Sequence, residues 1–183
     1  MINWPTEELV GKGWRYPFLY AAIDFIKPKT ICEIGCHRGH SSQRLSTRAL
    51  QYNKDLYFAG YDLFSLATEE TNKQEKNGKH AGDRARVVRN LEKLKKTNPK
   101  FTYDLYEGFT QDTLEPRTFD FVYIDGGHSY ETVKHDYEKL KDSKVIIFDD
   151  YDLKPVRKFC DEIGATGLVN YTWKKNLAVI VNV

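Results

Sequence analysis

Three aspartates and one histidine are the residues best suited to do chemistry. Asp125 follows the apolar run Phe119 to Ile124, and Asp149 and Asp150 follow Lys144 to Phe148. If both runs are strands of a parallel sheet, their ends fall on one edge and the three carboxylates can converge there. An all-oxygen cluster of that kind suits a hard cation such as Mg²⁺, with water or substrate filling the remaining positions. The plainer alternative is a pair of acidic turns. Three converging carboxylates without a counter-charge would be costly, which favours the cation. A divalent ion can lower the pKa of a bound hydroxyl. His128 stands three residues after Asp125, and an imidazole suits a general base near neutral pH. Asp125 could serve as the base instead, and His128 could merely cap a helix starting near Tyr130 or touch a cofactor.

A second group surrounds residues 30–42, TICEIGCHRGHSS. Gly35 permits a tight turn and Gly39 a close backbone approach. A P-loop would end in Gly-Lys-Ser/Thr, whereas this loop reads Gly-His-Ser; a dinucleotide loop would carry glycine at position 37, where His37 stands. Glu33 is awkward beside phosphate but fits a cationic, phosphate-free ligand. Asp62 lies 23 residues past Gly39 at the end of the run Leu56 to Tyr61. There it is placed to accept from two ribose hydroxyls, or simply to form a turn. Gly108 again allows close approach. Thr110 and Gln111 can hydrogen-bond an adenine edge, and Thr110 can also cap a helix.

These residues need strands to hold them. Thr30–Ile34, 56–61, 101–106, 119–124 and 144–148 are apolar runs at wide intervals. Between most of them lie helical patterns: Leu45, Ala49 and Tyr52; Val87, Val88, Leu91 and Leu94; Val133, Tyr137 and Leu140. Alternation of this kind predicts an α/β fold, a parallel sheet with helices on both faces. Residues 166–172 and 177–183 are both strand-like, with room only for a turn between them. They predict a C-terminal antiparallel hairpin, unlike a dinucleotide-binding Rossmann domain. Residues 65–82 carry no helical stripe and read as an excursion over the strand ends, a candidate lid together with residues 11–18. Trp14, in that second piece, could stack on a ring or pack in the core.

The run EIGCHRGHS, then YDLF, EGFTQDTL, DFVYIDGGHSYE and VIIFDDY, in that order and spacing, resembles the class I S-adenosylmethionine-dependent O-methyltransferases. It is most similar to two metal-dependent branches, the catechol and caffeoyl-CoA type and the macrocin type that methylates sugar hydroxyls. The resemblance covers about residues 17–183. It implies a Rossmann-like class I methyltransferase fold with a seven-stranded, mostly parallel sheet. It implies S-adenosylmethionine as cofactor, held by Glu33, Gly35, Gly39 and Ser41, by Asp62, and by Gly108, Thr110 and Gln111. It implies Asp125, Asp149 and Asp150 as ligands of Mg²⁺ or another hard divalent cation. The acceptor would be a small-molecule hydroxyl, a sugar or catechol-like diol. His128 departs from the caffeoyl-CoA type, which has lysine at that spacing, and resembles the macrocin branch.

Composition narrows the field. The chain has 183 residues, read as one domain over 1–183, and a net charge of +2 that gives no global argument for nucleic acid or membrane. The longest uncharged apolar run, Phe18 to Ile23, is far too short to cross a bilayer. The first ten residues have no apolar signal core. Three cysteines are too few for a disulfide framework, so a cytoplasmic location is expected. From Lys79 to Lys100 there are eight Lys or Arg against two Asp or Glu, which reads first as the solvated face of a helix. The rival reading of that run is a nucleic-acid methyltransferase. Base N-methyltransferases usually carry a proline-containing motif after the fourth strand, and here the text is Asp-Gly-Gly-His. A non-catalytic cofactor-binding module is a further alternative, against which the three aspartates argue. His37, His40, His80 and His135 are given no role, and His135 is expected to be exposed.

Overall fold

The computed structural model describes residue 2 and residues 15–75, 81–170 and 175–183. His80 and residues 11–14 of the 11–18 lid piece, Trp14 among them, lie outside the described residues. Seven strands form one sheet: β1 (Thr30–Ile34), β2 (Tyr57–Asp62), β3 (Thr102–Glu107), β4 (Phe121–Ile124), β5 (Val145–Phe148), β6 (Thr166–Asn170) and β7 (Lys175–Val181). Their order is β3-β2-β1-β4-β5-β7-β6. The first five are parallel, and β7 runs antiparallel to both β5 and β6. This is the sheet expected from the sequence, with the hairpin at its end.

Helices cover both faces because the central strands bury side chains alternately on each. Ile31, Phe58, Phe121 and Val145 point to one face; Cys32, Ala59, Val122 and Ile146 point to the other. Onto the first pack α1 (Arg15–Ile26), α2 (His40–Ala49) and α4 (Arg84–Thr97) through Phe18, Leu19, Leu45, Val87 and Leu91. Onto the second pack α6 (Tyr130–Leu140) and α7 (Lys154–Glu162) through Val133, Leu140, Val156 and Phe159. The basic residues of α4 that the sequence read as a solvated face, Arg84, Arg89, Lys93, Lys95 and Lys96, are exposed around the buried Val87 and Leu91. No described helix is long and apolar enough to cross a membrane. All three cysteines are buried and free.

Two short elements complete the site. The 65–82 excursion is more regular than its sequence implies. A 3₁₀ turn at Phe64–Leu66 leads into α3 (Glu69–Gln74). Thr68 caps α3 by accepting from the Thr71 N–H at 3.1 Å, while the Thr71 hydroxyl accepts from the Thr68 N–H at 2.8 Å. No residue of α3 is buried, which is why it leaves no apolar stripe. α5 (Thr110–Thr113) follows β3. Its N-cap is Phe109, so Thr110 is not the cap that its hydroxyl suggested.

Candidate active site

The sheet order reverses between β1 and β4. Their adjacent carboxyl ends therefore open a crevice, the usual ligand position in such sheets. A cleft lies there, with about 810 Å³ of empty space counting the open solvent at its mouth. Gly35, Asp62, Gly108, Thr110, Gln111 and Asp125 all line it. Residues 67–75 of the excursion wall it too, through Ala67, Thr71, Asn72 and Glu75.

The β1 loop is fixed by its neighbours. Gly35 has φ of +93°, and a Cβ there would sit 2.0 Å from the backbone oxygen of Asp125. Gly35 therefore lets the ends of β1 and β4 close on each other. A side chain at this position would meet protein backbone before it met a ligand. Gly39 (φ +73°) likewise lets α2 approach α4, since a Cβ would come 3.0 Å from the Cα of Val87. Gly39, Glu33 and Ser41 are not in the cleft wall. Glu33 is fully buried beneath the loop and accepts a short hydrogen bond from the Ser42 hydroxyl. These three residues shape the loop from behind.

Asp62 reaches the cleft with both oxygens already oriented. Oδ2 accepts from the His37 N–H at 2.7 Å and Oδ1 from the Phe64 N–H at 2.6 Å. Each oxygen keeps a further lone pair for a ligand hydroxyl. Gly108 (φ +141°) donates its N–H to the Asp62 carbonyl at 3.0 Å, which brings the β3 turn beside the β2 end.

At the other end of the cleft the adjacent aspartates diverge. Asp150 has φ of +51°, a left-handed conformation uncommon for a non-glycine residue. Its Oδ2 lies 3.1 Å from His128 Nε2. Asp125, His128 and Asp150 each bring one ligand atom to within 4.8 Å of the others. Asp149 turns the opposite way. It accepts from the Tyr123 hydroxyl at 2.6 Å and forms a close ion pair with Arg15. Arg15 Nη1 also lies 3.0 Å from Asp125 Oδ2 and 2.9 Å from the Tyr123 hydroxyl. The acidic group that the geometry assembles is thus Asp125, His128 and Asp150, whereas the sequence grouped Asp125, Asp149 and Asp150.

The sequence matches a methyltransferase-domain family over residues 32–151, about two thirds of the chain. The chain belongs to that methyltransferase family. No curated protein matches it. Solved structures share its fold at low identity. The O-methyltransferase TomG from Streptomyces achromogenes, in complex with SAM, aligns with a TM-score of 0.60 at 15% identity, over 89% of this chain and 77% of that one. An O-methyltransferase from Bacillus cereus in complex with SAH aligns with a TM-score of 0.59 at 17% identity, over 98% and 85%. A cmcI structure with Mg and SAM aligns with a TM-score of 0.50 at 13% identity, over 88% and 69%.

The methyltransferase's roof is tied to this acidic end. Glu75, directly after α3, accepts from the Ser129 N–H at 3.0 Å and from the Thr132 hydroxyl at 2.9 Å. Its carbonyl lies 3.2 Å from His128 Nδ1. His128 is buried and absent from the main cleft wall, and Ser129, not His128, caps α6. His135 is half-buried, with Nε2 3.2 Å from the Thr110 carbonyl oxygen, so it docks α5 on α6 and is not freely exposed.

Burial dominates the electrostatics. It pushes the Glu33 carboxyl up to about 7 against the lowering influence of the Ser41 and Ser42 hydroxyls. It pushes Asp136, on α6, up to about 7 as well. Burial and the Asp125 charge also raise Asp149, while Arg15 draws it down. A carboxyl that holds its proton more tightly folded than unfolded favours the folded state in acid. That contribution is complete below the ordinary carboxylate range and is lost as pH rises through about 7 for Glu33 and Asp136. Urea unfolding should therefore give a higher midpoint at pH 5 than at pH 8. A midpoint that rises across this interval would contradict the buried placement of these groups.

Sequence reasoning missed Arg15 and Asp136. Nothing near residue 15 marks it as the partner of residues more than a hundred positions away. Asp136 did leave a trace: it stands on the buried face of α6 beside Val133 and Leu140, where an apolar residue is expected.

Proposed function

We propose that this methyltransferase transfers the methyl group of S-adenosylmethionine to a hydroxyl of a small molecule, a sugar or catechol-like diol, with help from a divalent cation. The observation that carries the reading is the continuity of the cleft. Asp62 and the turn Gly108 to Gln111 lie at one end, suited to ribose and adenine, and Asp125 lies at the other, beside the cation-competent group. A ligand spanning the two would present its methyl group near Asp125. The SAM, SAH and Mg named for the structural neighbours support it.

The side chains fit a divalent cation, with a donor set different from the one the sequence suggested. Asp125, His128 and Asp150 would hold it, two carboxylates and one imidazole. Asp149 is engaged by Arg15 and Tyr123 and would act from behind. When bound, the cation supplies Lewis acidity that makes an acceptor hydroxyl easier to deprotonate. Asp125 faces the cleft and would take the proton of an acceptor hydroxyl there; S-adenosylmethionine, when bound, would supply the methyl group that replaces that proton on oxygen. With Nδ1 at the Glu75 carbonyl, His128 is oriented so that Nε2 lies beside Asp150, where both would face the cation. Glu75 holds the roof on the loop after β4, which excludes water from the reacting end.

A nucleic-acid substrate has less support. Of the basic run, the exposed side chains of α4 are not in the cleft wall. A screen with labelled S-adenosylmethionine over catechols, nucleotide sugars and flavonoids, with and without EDTA, tests the reading. Cation-dependent label transfer to a diol is expected; transfer only to oligonucleotide would overturn it.

The ribose end makes its own prediction. Asp62→Ala should weaken S-adenosylhomocysteine by roughly 1.5–3 kcal/mol, as for loss of hydrogen bonds to a charged group. Isothermal titration reads this directly, and unchanged affinity would remove Asp62 from the cofactor site.

A further inference from the structure

Asp136 is a buried acid without an evident structural purpose. It lies in the middle of α6 and is fully buried. Neither carboxyl oxygen has a partner at full hydrogen-bond geometry among the described residues, the Thr110 hydroxyl being its nearest donor. Its immediate influences include the Thr110 hydroxyl and the charge of Glu75, and no basic side chain. A buried carboxyl in that condition costs stability. A leucine on the same helix face would pack against Val133 and Leu140 instead. Yet Asp136 is also part of the cleft wall, together with Thr132 one turn earlier and with Thr110 and Gln111. The α5 turn is fastened over α6 by His135 at the Thr110 carbonyl. Asp136 is therefore aimed into the end of the cleft bounded by Gly108 to Gln111.

We propose that Asp136 reads the amine edge of the cofactor's adenine. The inference rests on the S-adenosylmethionine reading above and adds a residue to it. Adenine presents an exocyclic amine, a donor, beside ring nitrogen N1, an acceptor. A neutral carboxylic acid presents the complementary pair, a carbonyl acceptor beside an O–H donor. Burial that raises Asp136 favours that neutral form. A ligand carrying this edge satisfies both oxygens at once, and the cost of leaving them unpaired in the free protein becomes selectivity for a base with an amine at that position.

Binding of S-adenosylhomocysteine and of its 6-deamino purine analogue to the full chain tests this by isothermal titration. The wild type should bind the analogue about tenfold more weakly, the equivalent of one hydrogen bond with its donor removed. Asp136→Leu should bind S-adenosylhomocysteine roughly 10- to 100-fold more weakly and should no longer distinguish the two ligands. Asp136→Asn keeps a carbonyl acceptor beside an N–H donor and should stay close to wild type. A purely structural Asp136 would move neither the discrimination nor its rescue by asparagine. Should Asp136→Leu fail to fold, the two-ligand comparison on the wild type still decides. A wild type that binds both ligands equally overturns the role of Asp136 alone. A wild type that binds neither overturns the cofactor reading and this inference with it.

Discussion

Removing divalent cations should stop methyl transfer while leaving S-adenosylhomocysteine binding intact. Asp62 and the turn Gly108 to Gln111 do not depend on the acidic group, so titration with the product should be the same in EDTA as in Mg²⁺ or Mn²⁺. Asp125 is where the two functions meet. It is 9% exposed, it lines the cleft, and it belongs to the cation-competent group. Asp125→Asn preserves its shape and removes its charge. Turnover should fall about 10²- to 10⁴-fold, the usual contribution of a general base, and added cation should not restore it. His128→Ala should behave differently, because His128 is withdrawn from the cleft wall. The variant should need more cation for half-maximal rate yet keep the wild-type pH–rate profile at saturation. A cation-saturated His128→Ala enzyme whose rate is low and climbs with pH would give the base role back to His128. Full turnover by a verified cation-free wild type would eliminate the cation.

What could be read from the sequence was whatever recurred along it. The strands were legible because four of the five parallel ones are buried on both faces and are mostly apolar, Glu33 in β1 being the charged exception inside a strand. β3 (Thr102–Glu107), read from the sequence as an apolar run, is an edge strand with no fully buried residue. α4 and α6 carried clear stripes. α1 did not: Tyr16, Phe18, Leu19, Tyr20, Ala22, Ile23 and Phe25 distribute apolar groups around the whole helix, so no face stands out. α3 failed for the opposite reason, having no buried residue. The cleft residues Gly35, Asp62, Gly108 and Asp125 could be found because each terminates a parallel strand or directly follows one, and Thr110 and Gln111 because they open the short helix just after β3. Side-chain direction was not legible. Asp149 and Asp150 are identical neighbours, and only the left-handed backbone at Asp150 sends one toward His128 and the other toward Tyr123. Glu33 has the chemistry of a ligand contact, but alternation along β1 points it under the loop. Asp136 was obscured by the habit of reading an amphipathic helix from its apolar positions alone.

Arg15→Ala should unfold more easily than the wild type by about 3–5 kcal/mol in EDTA, the cost typical of removing one partner from a buried ion pair. Arg15 stands on the first turn of α1, and its guanidinium is the counter-charge that makes the acidic end of the cleft tolerable. Its side chain is 23% exposed, against 7% for Asp125 and 0% for Asp149, so solvent screens these contacts little. Truncation would leave two buried carboxylates and the Tyr123 hydroxyl without their cationic partner. For a chain of this length the melting temperature should fall by about 10 °C or more. Mg²⁺ or Mn²⁺ should then recover part of the loss, because Asp125 and Asp149 would accept a divalent ion where the guanidinium had been. The same ions should stabilise the wild type less, since Arg15 already neutralises that pair. The comparison separates two sources of counter-charge that are otherwise easily confused. A cation-independent melting temperature in Arg15→Ala, equal to the wild type's, would mean that Arg15 does not neutralise these aspartates. An equal cation-induced gain in both proteins would place the ion wholly at Asp125, His128 and Asp150, out of competition with the arginine. The expected pattern, a large loss in EDTA with preferential recovery in the variant, follows from one geometric fact: Asp125 is shared between the guanidinium on one side and the His128–Asp150 pair on the other.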